Sequence, residues 1–253
     1  LGRPGESNVD DLALAYAISR EKDLMDVSAL GYSAAVLSGS LANFGPLRTL
    51  AHDLISAQTI RDVAAQKELK RLLFVGVTDL DDGYGYAVDL TQLAADAVHI
   101  GTDQAIEDAR HCYVEALIAS SSVPPGVPPV SLRTTAAPAS HLYMDGGARF
   151  AVFFQQLGVA VSDQQTDFTL IVNGTLYGES WTDASGHAPD RWSVVSYGLR
   201  AIDLLQNQVG RLSVGDSEAW AVKHGSLHMA FISNENLTGM KMDPGSWTYP
   251  TDG

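Results

Sequence analysis

Tyr143-Met144-Asp145-Gly146-Gly147 sets a carboxylate at the end of a short apolar run and follows it with two glycines. An aspartate in that position either closes a turn or accepts a proton, and the glycines let the backbone bend beside it without a Cβ clash. To catalyse anything it needs a partner. A nucleophilic serine would occupy a Gly-x-Ser-x-Gly elbow between a strand and a helix. Gly31-Tyr32-Ser33-Ala34-Ala35 has alanine in place of the second glycine and no strand before it. Gly215-Asp216-Ser217-Glu218-Ala219 has the same defect and follows the aspartate. A triple glycine suited to an oxyanion loop is absent from the sequence. His141, the nearest histidine to Asp145 in sequence, reads as a loop or strand-edge residue. His224 and His228 have the i, i+4 spacing of a helical metal pair, but Gly225 and the apolar run from Met229 to Ile232 read as a turn into a strand. Asp79, Asp81, Asp82 and Gly83 outline part of a calcium loop, yet Gly83 stands where a ligand is needed and Leu90 where a closing Glu belongs, so a solvated turn is expected. Neither a metal nor a cofactor is therefore assigned. His187 lies in a polar loop without recognisable chemistry, and Phe150, Phe153 and Phe154 suit either an acyl pocket or the core.

The elements that must position these groups follow from periodicity and capping. Asn8 is expected to cap a helix from about Val9 to Arg20, and Pro46 to sit in the first turn of a helix through Leu54. A further helix is predicted over Ala57–Leu69, with Lys67, Lys70 and Arg71 at its C-terminus. Leu72–Val77 reads as a buried strand, and a turn through Gly83 leads to a second strand over Tyr84–Leu90. Thr91 is expected to cap a short helix over Gln92–Ala97. The spacing then predicts a longer helix over Asp103–Ser120, with Ile106, Ala109, Cys112, Ala116 and Leu117 facing inward. Beyond the Pro124–Pro129 breaker come strands at His141–Met144 and Phe168–Val172, the latter closed by Asn173-Gly174. A helix from Trp192 to Gln208 or beyond and a strand over Ser226–Ile232 follow. Strands alternating with helices argue for a layered α/β domain with a mostly parallel central sheet flanked by helices.

Three patterns occur in order: Leu73-Phe74-Val75-Gly76-Val77-Thr78-Asp79-Leu80-Asp81, then Ala119-Ser120-Ser121-Ser122-Val123-Pro124-Pro125-Gly126-Val127-Pro128-Pro129, then Met144-Asp145-Gly146-Gly147. The ordered set resembles the patatin-like phospholipases, lipid acyl hydrolases with a Thr-Asn/Asp-Leu turn after a strand, an Ala-Ser-x-x-x-Pro-Gly-x-x-Pro-Pro element and an Asp-Gly-Gly aspartate. The second element departs from the family pattern by one residue around Pro124-Pro125, and Val88-Asp89-Leu90 looks like the family's short strand end. The resemblance is good over about residues 10–150 and weak beyond. It implies a single patatin-like α/β domain over 1–253 and ester hydrolysis by a Ser–Asp dyad. In such a dyad the carboxylate itself takes the serine proton, without histidine. Asp145 is then the catalytic residue, with Gly146 and Gly147 as its motif backbone. The family's oxyanion loop and nucleophile elbow precede the matched region, so the expectation is that the serine lies upstream. Leu1-Gly2-Arg3-Pro4-Gly5, which has neither an initiator Met nor the regions of a signal peptide, fits a chain beginning in mid-protein. The implied partners are a lipid or acyl-ester substrate and an N-terminal segment or fragment carrying the serine. The alternative is a catalytically inactive lipid-binding or interaction protein on the same fold.

Bulk properties narrow the classes. Of 253 residues, 45% are hydrophobic and 18% charged, enough to bury a substantial core. A formal net charge of −14 opposes a nucleic-acid partner, which would require clustered Lys and Arg. The lone Cys112 excludes an intrachain disulfide and is expected to be a small buried residue.

Overall fold

The computed structural model describes residues 24–27, 40, 42–123, 126–134, 139–153, 166–172 and 194–231. The expected helix at 9–20, Ser33, Phe154, the Asn173-Gly174 turn and His187 lie outside them. Two compact units are present, one ending at Phe150 and one beginning at Ala151.

In the first unit a short antiparallel pair, β1 (Asp26–Val27) with β2 (Ala42–Asn43), precedes α1 (Gly45–Leu54) and α2 (Ala57–Gln66). Pro46 sits in the first turn of α1, where its missing N–H is of no consequence. Ser56 and Thr59 form a capping box at the start of α2, each side chain serving the other's backbone N–H. That helix stops three residues before the expected Leu69. A tight turn through Lys70, in the left-handed region at φ 56°, brings the Arg71 N–H back to the Gln66 carbonyl. β3 (Phe74–Asp79) and β4 (Gly85–Asp89) form a hairpin. Asp89, rather than Thr91, caps α3 (Leu90–Ile100) by accepting from the Gln92 N–H, while Thr91 Oγ1 accepts from the Leu73 N–H. Gly101, at φ 76°, ends α3 in a left-handed C-cap. Thr102 then opens α4 (Asp103–Ser120), whose bounds agree with the sequence expectation. β5 (Val130–Leu132) and β6 (His141–Asp145) complete a four-stranded sheet in the order β4-β3-β6-β5, with a single 3-10 turn over Gly146–Ala148.

Every pairing in this sheet is antiparallel, which overturns the expected mostly parallel sheet. For β3 and β4 the reason is local. β3 leaves through a tight turn in which the Asp79 N–H reaches the Tyr84 carbonyl and Gly83, at φ 75°, donates to the Asp79 carbonyl. So short a connection can return only an antiparallel strand, because a parallel return needs a crossover of a dozen residues or more.

α4 is the element that organises the core. One side packs Ile106, Ala109, Tyr113 and Ala116 against Ile60 and Val63 of α2 and Leu90, Ala94 and Ala97 of α3. Another side presents Val114, Ile118 and Ala119 to Val77, Val130 and Tyr143 of the sheet. With two faces buried, the third carries Asp108, His111 and Cys112 into solvent, so the thiol expected in the core is exposed.

The second unit is a parallel pair, β7 (Thr166–Val172) with β8 (Gly225–Phe231), joined to α5 (Val194–His224). α5 runs beyond Gln208, as the sequence allows, and ends at His224. Phe168 of β7 meets Trp220 of α5 edge-on at 4.9 Å between ring centroids. Among the described residues no helix is long and apolar enough to cross a membrane.

Two glycine replacements should move stability in opposite directions. A Cβ on Gly146 would lie 2.6 Å from the Gly76 carbonyl carbon, and backbone on both sides cannot yield. Gly146→Ala should therefore lower unfolding free energy by about 1–3 kcal/mol in urea denaturation. Gly215, exposed within α5 with nothing near its Cβ position, should raise it by about 0.5–1 kcal/mol when replaced by Ala.

Candidate active site

The three sequence patterns, far apart along the chain, meet at Asp145. It is the last paired residue of β6, opposite Val77 of β3. Its N–H donates to the Ser122 carbonyl at 2.9 Å, and its own carbonyl accepts from Thr78 Oγ1 at 3.1 Å. Ser122 is fully buried, and its hydroxyl donates to the Ile118 carbonyl at 2.8 Å, which fastens the residue to the last turn of α4. β3 thus supplies Thr78, the end of α4 supplies Ser122, and β6 supplies the aspartate.

Beyond Asp145 the backbone turns at once. Gly146 lies over the main chain of Gly76, an approach that no side chain would permit. The Gly147 N–H donates to Asp145 Oδ1 at 2.6 Å, and Gly147 has no Cβ to crowd that oxygen. Among the described residues Oδ2 accepts no hydrogen bond. Burial pushes the Asp145 carboxyl above its ordinary value, and the Gly147 N–H opposes this in part. The result is a half-buried carboxylate with one oxygen fixed and the other available to take a proton.

Among the described residues of the first unit, no serine hydroxyl or histidine ring hydrogen-bonds to the Asp145 carboxylate. Ser122 meets Asp145 through its carbonyl, and its hydroxyl is spent on Ile118. Ser217, the centre of the Gly215 pattern, is buried within α5 and donates to the Ser213 carbonyl. His141 stands at the opposite end of β6, about 13 Å away at the usual rise per residue. His224 ends α5, stacks on Trp220 and has Nδ1 2.8 Å from its carbonyl, whereas His228 lies exposed in β8, so the two do not form a helical pair. The Phe150 ring covers Gly85 of β4, where any Cβ would collide with it.

His141 belongs to a second polar cluster that sequence reasoning missed. Its Nδ1 lies 2.7 Å from Oδ2 of Asp79, a side chain only 1% exposed at the end of β3. The other Asp79 oxygen accepts the N–H groups of Asp81 and Asp82, and Asp81 in turn accepts the Leu142 N–H. Asp79 is thus the buried hub of the hairpin turn, not part of a solvated turn. Burial alone would raise its carboxyl, but hydrogen bonds from His141, the Asp81 N–H, Tyr143 and the Asp82 N–H together lower it. The hydrogen bond to Asp79 raises His141 against a smaller opposing effect of burial, with the charges of Asp79, Asp81 and Asp82 adding to it. On the same turn Tyr86 donates to Asp82 at 2.5 Å, and its hydroxyl is pushed up to about 12. Asp79 pairs in register with Tyr143, so the signal lay in a strand pairing that no local pattern encodes.

No family model, curated protein or solved structure matches the chain.

The Asp79–His141 contact sets a pH window. The raised His141 contributes stability that is complete below its ordinary value of 6.5 and is lost as pH rises through the raised one. The lowered Asp79 contributes stability present above 3.8 and lost as pH falls through the lowered value. The pair should hold the hairpin best between those two ordinary values. Urea unfolding measured across pH should show an alkaline decline that His141→Gln abolishes; the same slope in both proteins would refute the coupling.

Proposed function

We propose that Asp145 is the base of a Ser–Asp dyad in a patatin-like lipid acyl hydrolase, with the serine carried on a segment outside these 253 residues. The observation that carries this reading is the state of the carboxylate: one oxygen held by the Gly147 N–H, the other without a hydrogen bond among the described residues, and burial raising its basicity. Such a group accepts a proton without needing histidine to relay it.

In the proposed reaction the serine hydroxyl attacks the carbonyl carbon of an acyl ester as Asp145 takes its proton. The tetrahedral intermediate collapses, the alkoxide leaves with the proton returned from Asp145, and an acyl-serine remains. Water then attacks that ester while Asp145 accepts a proton from it, and the carboxylic acid departs as the serine is reprotonated. Asp145 is unchanged over the cycle. The glycines fix where the carboxylate points, and Thr78 and Ser122 fix the strand end that bears it.

Two measurements test this. In protein that includes the preceding serine segment, Asp145→Asn should retain the circular dichroism spectrum and lose at least about 100-fold in hydrolysis of a short acyl ester. Unchanged turnover would sink the proposal. The 253-residue polypeptide alone should release no product from the same ester, and hydrolysis by it would show that the nucleophile lies within the chain.

A further inference from the structure

We propose that α1 and α4 carry a binding site for a divalent transition-metal ion of the zinc, nickel and copper class, with His52, His111 and Glu115 as ligands. The ligand atoms of these three side chains all lie within 4.8 Å of one another. Sequence spacing alone reveals only half of the arrangement, because His111 and Glu115 stand one turn apart on α4 while His52 arrives from a different helix.

The two helices face each other in two rungs. In the first, Arg48 of α1 grips Glu115, with Nε 2.6 Å from Oε1 and Nη2 3.1 Å from Oε2. One turn further along, the His52 ring stacks on the His111 ring, their centroids 5.8 Å apart and their planes within 10°. Among the described residues, the nitrogens of these two rings make no hydrogen bond. Two imidazoles held face to face with unspent nitrogens are a poor structural contact and a good chelate, since neutral imidazole suits Zn, Cu and Ni.

The backbone that carries the rings is already fixed. Arg110 of α4 reaches across to the end of α1, where Nη2 donates to the His52 carbonyl at 2.6 Å and Nε to the Ile55 carbonyl at 2.5 Å. His52 is therefore anchored to the helix that bears its partner, and an incoming ion need only turn side chains. Around tetrahedral zinc, nitrogen and oxygen ligands stand roughly 3.3 Å apart, a closure within reach of rotation about two or three side-chain bonds. Glu115 serves both neighbours, because a carboxylate has about four lone-pair positions and Arg48 uses two. His111 is exposed and His52 half-buried, so the ion enters from solvent. This site is independent of the proposed ester hydrolysis.

Titration of the full 253-residue chain with zinc chloride, followed by calorimetry, tests the proposal. We expect one ion per chain, and a Tm that rises with zinc. His52→Ala and His111→Ala should each weaken binding by at least about tenfold, the loss that even an outer-shell partner brings. Glu115→Gln should weaken it as well, whereas Cys112→Ser and His228→Ala should leave it unchanged. Arg48→Gln breaks the same ion pair but spares the ligands, so it should bind no more weakly than the unaltered chain. Absence of zinc binding would overturn the site, as would wild-type affinity in either histidine variant. Equal weakening by Arg48→Gln and Glu115→Gln would remove Glu115 as a ligand and overturn the three-ligand site.

Discussion

Where β3 and β6 lie side by side, the main chains of Gly76 and Gly146 approach so closely that a Cβ on the latter would enter the former's peptide group. The remaining geometry of the first unit is arranged around that approach. It lets the chain turn out of the sheet immediately after Asp145, puts the Gly147 N–H on the carboxylate, and leaves Thr78 and Ser122 to hold the strand from either side. A bulkier residue at the crossing would push β6 away from β3 and remove the register that places Asp145 opposite Val77.

α4 connects this crossing to the core. It is buried on two sides at once, one against α2 and α3 and the other against the sheet, so its last turn has little freedom to shift. The Ser122 carbonyl that receives the Asp145 N–H extends from that turn. The ends of α4 thus differ in use: the C-terminal turn braces the candidate base, and the exposed side further back presents His111 toward His52.

Local signals were legible in the sequence and directional ones were not. The bounds of α4 follow from its apolar spacing, and the β3–β4 strands from the turn residues between them. Residue type and spacing mark out Asp145, Gly146 and Gly147, which lie at a strand end beside the other two patterns. Strand direction in the sheet is not legible, because alternation of strands and helices counts elements without saying which strand lies next to which. A single buried stripe would put Cys112 inside, whereas α4 buries two, and the leftover stripe is the one that holds the thiol. Asp79 looks solvated in the sequence because its partner, His141, lies 62 residues away and covers it only where β6 joins β3.

The bond between Thr78 and the Asp145 carbonyl has a kinetic meaning as well as a static one. The hairpin and each helix can form from neighbouring residues, but the Thr78–Asp145 contact closes a loop of 67 residues. Closing such loops is slow relative to local structure, since chain entropy must be lost before the contact rewards it. The burial that raises the Asp145 carboxyl therefore depends on a long-range closure, whereas the Gly147 N–H that fixes Oδ1 lies only two residues away. Where the sheet opens, that burial is lost with it, so the upward shift of the Asp145 carboxyl is a property of the assembled sheet.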